Sequence, residues 1–209
     1  MDMKEIIGFQ KKAGKSLLKS LSSLLKTDVY LAGGMLRDHY FQRSGNDFDV
    51  YVKRNPSFEY ETWMTSLLNG THGYSDFKLM EGSERYAKYG KADTSIYQIY
   101  EGYFSAHHVK TQTQVIVLES LNPRKYIENY FCCSLSKAWQ TQDFDPVFST
   151  AFMESIKTNT LAFDFSKLGE INFGYINKIM ERFPDFEVDE TTKRYYIDKF
   201  TREAYWKND

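Results

Sequence analysis

Residues 31–52, LAGGMLRDHYFQRSGNDFDVYV, restrict the fold more than any other stretch of this chain. A short apolar run, Val29-Tyr30-Leu31, ends in Gly33-Gly34, and a helix-like stretch containing Arg37-Asp38 follows. A turn at Ser44-Gly45-Asn46 then leads to Asp47-Phe48-Asp49, which opens a second apolar strand. Residues two apart on a strand share a face. Asp47 and Asp49 can therefore chelate one hard divalent cation, or bridge a pair, through oxygen ligands. A glycine pair ahead of a helix lets the backbone approach a phosphate and aims N–H groups at it. Phosphate cradle plus metal carboxylates is the minimum equipment for phosphoryl or nucleotidyl transfer. The plainer reading makes the two aspartates solvent-facing turn residues and the glycines a strand end. The apolar continuation Val50-Tyr51-Val52 behind the acids argues against it.

Elsewhere the sequence narrows the class. At 209 residues the chain suits one large domain or a domain with an appendage. A hydrophobic content of 42% provides a core, and the 16 Tyr, 16 Phe and 3 Trp read as an aromatic-rich interior. With 27 basic against 28 acidic residues, bulk charge makes no case for a nucleic-acid partner. The start is the exception: Lys4, Lys11, Lys12, Lys15, Lys19 and Lys26 form a basic face, read as solvated, with RNA contact as the sharper alternative. Cys132 and Cys133 are adjacent, which suits neither a strain-free disulfide nor a zinc site, so reduced thiols in a cytoplasmic protein are expected. No apolar run approaches the ~20 residues of a membrane span, and the N-terminus shows no secretory signal.

Periodicity predicts helix over 3–26, with Gly8 and Gly14 as weak points, strand 28–32, helix 34–43 and strand 47–53. Helix 57–69 with Ser57 as N-cap, a strand at 77–80 and a loop at 81–91 that orders over substrate come next. Segments 94–103 and 111–119 are β-rich and joined as a hairpin through His107-His108, read as exposed tip residues. Pro123 starts a helix over 123–130. Residues 131–140 read as a buried strand or helix. Helices at 149–156, 173–183 and 190–205 and a strand at 160–165 complete the tail. The expectation is an α+β protein: a mixed sheet flanked by helices over 1–140, with an N-terminal helix and a mainly helical extension over 141–209.

The set Gly33, Gly34, Arg37, Asp38, then eight residues, then Asp47 and Asp49, resembles the head-domain pattern of polymerase-β-type nucleotidyltransferases. The subgroup it is most similar to is the CCA-adding tRNA nucleotidyltransferases and bacterial poly(A) polymerases. The resemblance implies Mg²⁺ (or Mn²⁺) on Asp47 and Asp49 as catalytic metal ligands. It implies an NTP whose phosphates meet Gly33, Gly34 and Arg37, and an acceptor hydroxyl on RNA (tRNA included), a protein or a small molecule. Arg37 has a second reading, a surface ion pair with Asp38, which itself is structural or ribose-facing.

Two departures accompany the resemblance. The family's third carboxylate, on the second strand of a hairpin, matches Gln114, which offers a carbonyl oxygen but no charge; Glu101 and Glu119 are the candidate substitutes. The family's charged Arg-Arg-Asp segment has only an uncharged echo at 129–137. The match is strong over residues 31–52, extends over 28–140, and is absent from the tail. Besides the enzyme, a nucleotide- or partner-binding protein on a degenerate version of the fold is the alternative, and an enzyme modifying a host tRNA or protein is a third.

Overall fold

An acidic pair sets the first helix. Asp2 Oδ1 accepts from the Glu5 backbone N–H at 2.8 Å while Glu5 Oε2 accepts from Asp2 N–H at 2.9 Å, a reciprocal capping box. The helix that follows, α1 (Met3–Leu25), is continuous through both glycines. A side chain at Gly14 would meet Leu31 Cδ2 at 3.2 Å, so its absence lets the helix lie close on the sheet. In this computed structural model residues 2–71, 73–80, 95–106, 109–164 and 173–195 are described. The substrate loop expected at 81–91 and the His107-His108 tip lie outside them.

Further helices among the described residues include α2 (Gly34–Tyr40), α3 (Tyr60–Gly70), α4 (Pro123–Tyr130), α5 (Thr150–Thr158) and α6 (Phe173–Arg182). The strands are β1 (Val29–Ala32), β2 (Asp47–Lys53), β3 (Tyr74–Leu79), β4 (Ile96–Ala106), β5 (Val109–Leu118), β6 (Ala138–Gln140), β7 (Val147–Phe148), β8 (Thr160–Leu161) and β9 (Glu187–Val188). Among the described residues seven strands form one sheet in the order β3-β4-β5-β2-β1-β6-β7, and β8 pairs with β9 separately. Only the β2–β5 pairing within the large sheet is parallel, so the sheet is mixed and the protein is α+β. No described helix is long and apolar enough to cross a membrane.

Strand alternation divides the sheet cleanly. Leu31, Phe48, Val50, Val52, Val115 and Val117 face α1 and α3 in the larger core. Tyr51, Ile99, Ile116 and Leu118 face the other way and are covered by Tyr126 and Ile127 of α4. Asp47, Asp49, Gln112, Gln114 and Glu101 have the parity of that second face, at the strand ends beyond Tyr51, Ile116 and Ile99. These candidate site residues are thus the polar continuation of an apolar surface.

Local bounds differ from the sequence pattern in several places. Helix α3 opens at Tyr60 rather than 57, because the Ser57 N–H is taken by Asn55 Oδ1 at 3.0 Å and the Asn55 N–H by Tyr60 Oη at 2.9 Å, which closes a turn there. Residues 131–140 are a bridge at Cys133, a 3-10 turn at Ser134–Ser136 and strand β6. The division expected at 140 falls between β6 and β7 of one sheet, and Phe152, Leu161, Ile176, Ile179 and Phe183 join the larger core. The helix expected over 190–205 is described from 190 to 195, with Asp189 Oδ1 accepting from Thr192 N–H at 2.9 Å.

A buried polar triplet fixes the turn before β2. Gln10 of α1 donates through Nε2 to Gly45 O at 2.8 Å, and its Oε1 accepts from Gly45 N–H at 3.1 Å. The same Oε1 lies 3.1 Å from His39 Nε2, so that ring nitrogen carries the proton and donates. Burial, with Lys11 adding to it, pushes the His39 pKa from 6.5 down to about 4. The unfolded chain therefore binds the extra proton between those values, and stability falls as pH drops through that window. The contribution is complete above pH 6.5, and its ceiling is about 3 kcal/mol at ~1.36 kcal/mol per pH unit. Urea unfolding at about pH 7.5 and about pH 4.5 should show a loss in the wild type that is smaller in His39→Gln, whose amide keeps an N–H for Gln10.

Candidate active site

The loop from β1 into α2 brings backbone and carboxylates together. Gly33 has φ +79°, a conformation only glycine adopts readily, and its N–H donates to Ala138 O at 3.1 Å. A Cβ at Gly33 would stand 3.3 Å from the Phe131 ring and 3.8 Å from Asp49 Oδ2. A Cβ at Gly34 would stand 3.8 Å from Asp47 Oδ1. Both carboxylates therefore lie within contact distance of the glycine pair. The geometry follows from register, since Ala32 of β1 pairs with Asp49 and both acids share one face of β2.

On the other side of β2, Asp49 pairs with Gln114 and Asp47 with Gln112 on β5. Gln114 is buried, and its Nε2 donates to Glu101 Oε2 at 2.9 Å from β4, where Glu101 and Gln114 are direct partners. Gln112 Nε2 donates to the other oxygen of the same carboxylate. Glu101 is two strands from β2, ~10 Å away by strand spacing. Glu119, the other candidate for the third acid, is ion-paired with Arg54 beyond the far end of β5. Among the described residues no group of three or more His, Cys, Asp or Glu side chains is placed to hold a metal. The two aspartates could hold a cation only together with water or phosphate oxygens, a coordination Mg²⁺ commonly takes.

Arg37 is buried, and its fork is closed on its neighbour. Nε lies 3.0 Å from Asp38 Oδ1 and Nη2 3.4 Å from Oδ2, while Nη1 donates to Ser136 Oγ at 3.4 Å. Its guanidinium lies 5.2 Å from the Phe183 ring centroid. The ion pair with Asp38 exists, but it is interior rather than at the surface. The guanidinium touches the site through Gly34, whose Cβ position is 3.4 Å from Nη2.

Solved structures share this architecture. No protein-family model matches the sequence, and no curated protein sequence matches it. A CCA-adding enzyme in complex with ATP superposes with TM-score 0.61 at 14% identity, covering 100% of this chain and 48% of its own. The Thermotoga maritima CCA-adding enzyme complexed with tRNA gives TM-score 0.58 at 16% identity, covering 93% of this chain and 44% of its own. The chain has the fold of a polymerase-β-type nucleotidyltransferase head. A tRNA nucleotidyltransferase complexed with a primer tRNA and an incoming ATP analog gives 0.53 at 14% identity, covering 85% of this chain and 48% of its own. This nucleotidyltransferase-like chain thus spans less than half the length of each. The likeness to the ATP complex includes the tail, which the sequence pattern had left outside the resemblance.

The tail also contributes to this fold in a way the sequence did not reveal. Arg182, at the end of α6, donates through Nε and Nη2 to Asp38 Oδ1 and Oδ2 at 3.1 and 2.9 Å, and through Nη2 to Ser44 O at 3.2 Å. Asp38 thus sits between two guanidiniums, one on α2 and one 144 residues away. Tyr175 of α6 lies 3.0 Å from Ser136 Oγ, the hydroxyl that also receives Arg37. Burial pushes the Tyr175 and Cys133 pKa values up, so phenol and thiol are neutral here. The cysteines are free. Burial pushes Cys132 up to about 12, which makes it a poor nucleophile.

Proposed function

We propose that this nucleotidyltransferase head transfers a nucleoside monophosphate from an NTP to an acceptor hydroxyl and releases pyrophosphate. The carrying observation is that Asp47 Oδ1 and Asp49 Oδ2 both face the Gly33-Gly34 backbone at 3.8 Å from the glycines' Cβ positions. Asp47 and Asp49 would hold Mg²⁺, or Mn²⁺. When bound, the ion supplies the positive charge that orients the triphosphate and stabilises the leaving pyrophosphate. The Gly33 and Gly34 backbone lets phosphate oxygens approach without steric obstruction. Arg37 supports that loop from within, its charge balanced by Asp38. Gln114 adds a neutral amide beside Asp49. We assign the acceptor to an RNA 3′ end and the setting to the cytoplasm, where buried free thiols remain reduced. Two of the structural neighbours were solved with tRNA, which supports RNA as the first acceptor to try.

A second reading, a nucleotide-binding protein without chemistry, is favoured by Gln114 standing where the fold's third acid is expected. Incubating the protein with Mg²⁺ and each labelled NTP, alongside total RNA and cell lysate, separates the two. Label transferred to RNA supports the assignment, and label on protein redirects the acceptor. NTP retained without transfer or pyrophosphate supports the binding protein.

A further inference from the structure

We infer that Glu101 is a positioning residue of this site, turning two glutamine carbonyls toward the cation held by Asp47 and Asp49. The inference rests on the reading of those aspartates as metal ligands. One carboxylate receives both amides: Gln114 Nε2 at 2.9 Å on Oε2, and Gln112 Nε2 on Oε1. An ionised carboxylate only accepts, so each glutamine must present its amino group to Glu101. That fixes both amide orientations chemically. The oxygen of a planar amide lies on the other side of its carbon from the nitrogen, so each Oε1 is turned away from Glu101. The strand beyond β5 on that side is β2, with Asp49 beside Gln114 and Asp47 beside Gln112.

Amide carbonyls are competent ligands for hard cations, weaker than carboxylates because they carry no charge. The third acid of the site has in effect moved one strand outward and acts through two neutral oxygens. One consequence is electrostatic. A third carboxylate on β5 would stand beside Asp49 and repel it, whereas at ~10 Å from β2 the repulsion is roughly halved and further screened. The cation-free protein is less strained and the cation is held less tightly. Outer-shell partners of this kind typically change metal affinity by about 10–100-fold when removed.

The test is Mn²⁺ affinity, measured without nucleotide by electron paramagnetic resonance, with thermal unfolding recorded for every variant. Wild-type binding that disappears in the double variant Asp47→Asn, Asp49→Asn establishes the metal reading itself. Against that baseline Glu101→Gln should weaken Mn²⁺ by about 10–100-fold with its melting temperature near that of the wild type. The exchanged pair, Glu101→Gln with Gln114→Glu, keeps the hydrogen bond and brings the charge inward, so it should bind at least as tightly as the wild type. It also serves if Glu101→Gln alone fails to fold. Unchanged affinity in Glu101→Gln, or weaker binding in the exchanged pair, overturns the role of Glu101 and leaves the aspartates standing. A wild type that takes up no Mn²⁺ overturns both.

Discussion

Asp49→Asn is expected to lower nucleotidyl transfer by roughly a thousandfold or more while leaving the fold as stable as before, or more so. A divalent ion contributes several kcal/mol of charge stabilisation to a transferring phosphate, and each ~1.36 kcal/mol is tenfold in rate. Asn keeps an oxygen and loses the charge that holds the ion. Asp49 and Asp47 share a face of β2, and each is half-buried. Two like charges so placed repel when no cation lies between them, so neutralising one relieves the apo protein. Steady-state transfer assays with parallel urea unfolding check both halves. A large loss of stability would show that the carboxylates serve the core rather than a ligand.

Asp38→Ala is expected to destabilise the protein by about 3–5 kcal/mol, the usual consequence of leaving buried charges without their counter-ion. The Asp38 side chain is 4% exposed and that of Arg37 7%, so water screens their contact little, while Arg182 is 25% exposed. Removing the carboxylate leaves Arg37 and Arg182 without their shared counter-ion, with the Arg43 guanidinium also 5.1 Å from the Phe183 ring centroid. Arg182→Ala should cost less, because the Arg37–Asp38 pair survives it. Denaturant midpoints for both variants test the ordering. A loss below ~1 kcal/mol for Asp38→Ala would place the pair among ordinary surface ion pairs.

The part of the site that is local in sequence was legible there. Alternation along β2 placed Asp47 and Asp49 on one face, and the glycines ahead of α2 marked the backbone turn. Gln114 came from the family resemblance, as the match to its third carboxylate, and the register places it beside Asp49. The strand–helix order was likewise readable, because the apolar period changes at Gly33 and again at Gly45. What escaped is what long-range packing decides. Arg37 looked like a cation available to a phosphate, and nothing near it in the chain announces that Asp38 will be shared with Arg182. The tail read as an extension, yet Phe152, Ile176 and Phe183 close the same core and β7 lengthens the same sheet. Glu101 had one rival as substitute for the third acid, Glu119, until register paired Glu101 directly with Gln114. Gln10 offered no signal at all, since a lone glutamine on an amphipathic helix carries no hint of the turn it satisfies.

Pyrophosphate release tests the central claim most directly. Wild-type protein, with Mg²⁺, each NTP in turn and RNA bearing free 3′ ends, is measured beside the double variant Asp47→Asn, Asp49→Asn. The account predicts pyrophosphate that appears with one or more NTPs, requires both Mg²⁺ and the RNA, and is absent in the double variant. Protein that binds NTP with Mg²⁺ yet releases no pyrophosphate with RNA or with lysate as acceptor would contradict it.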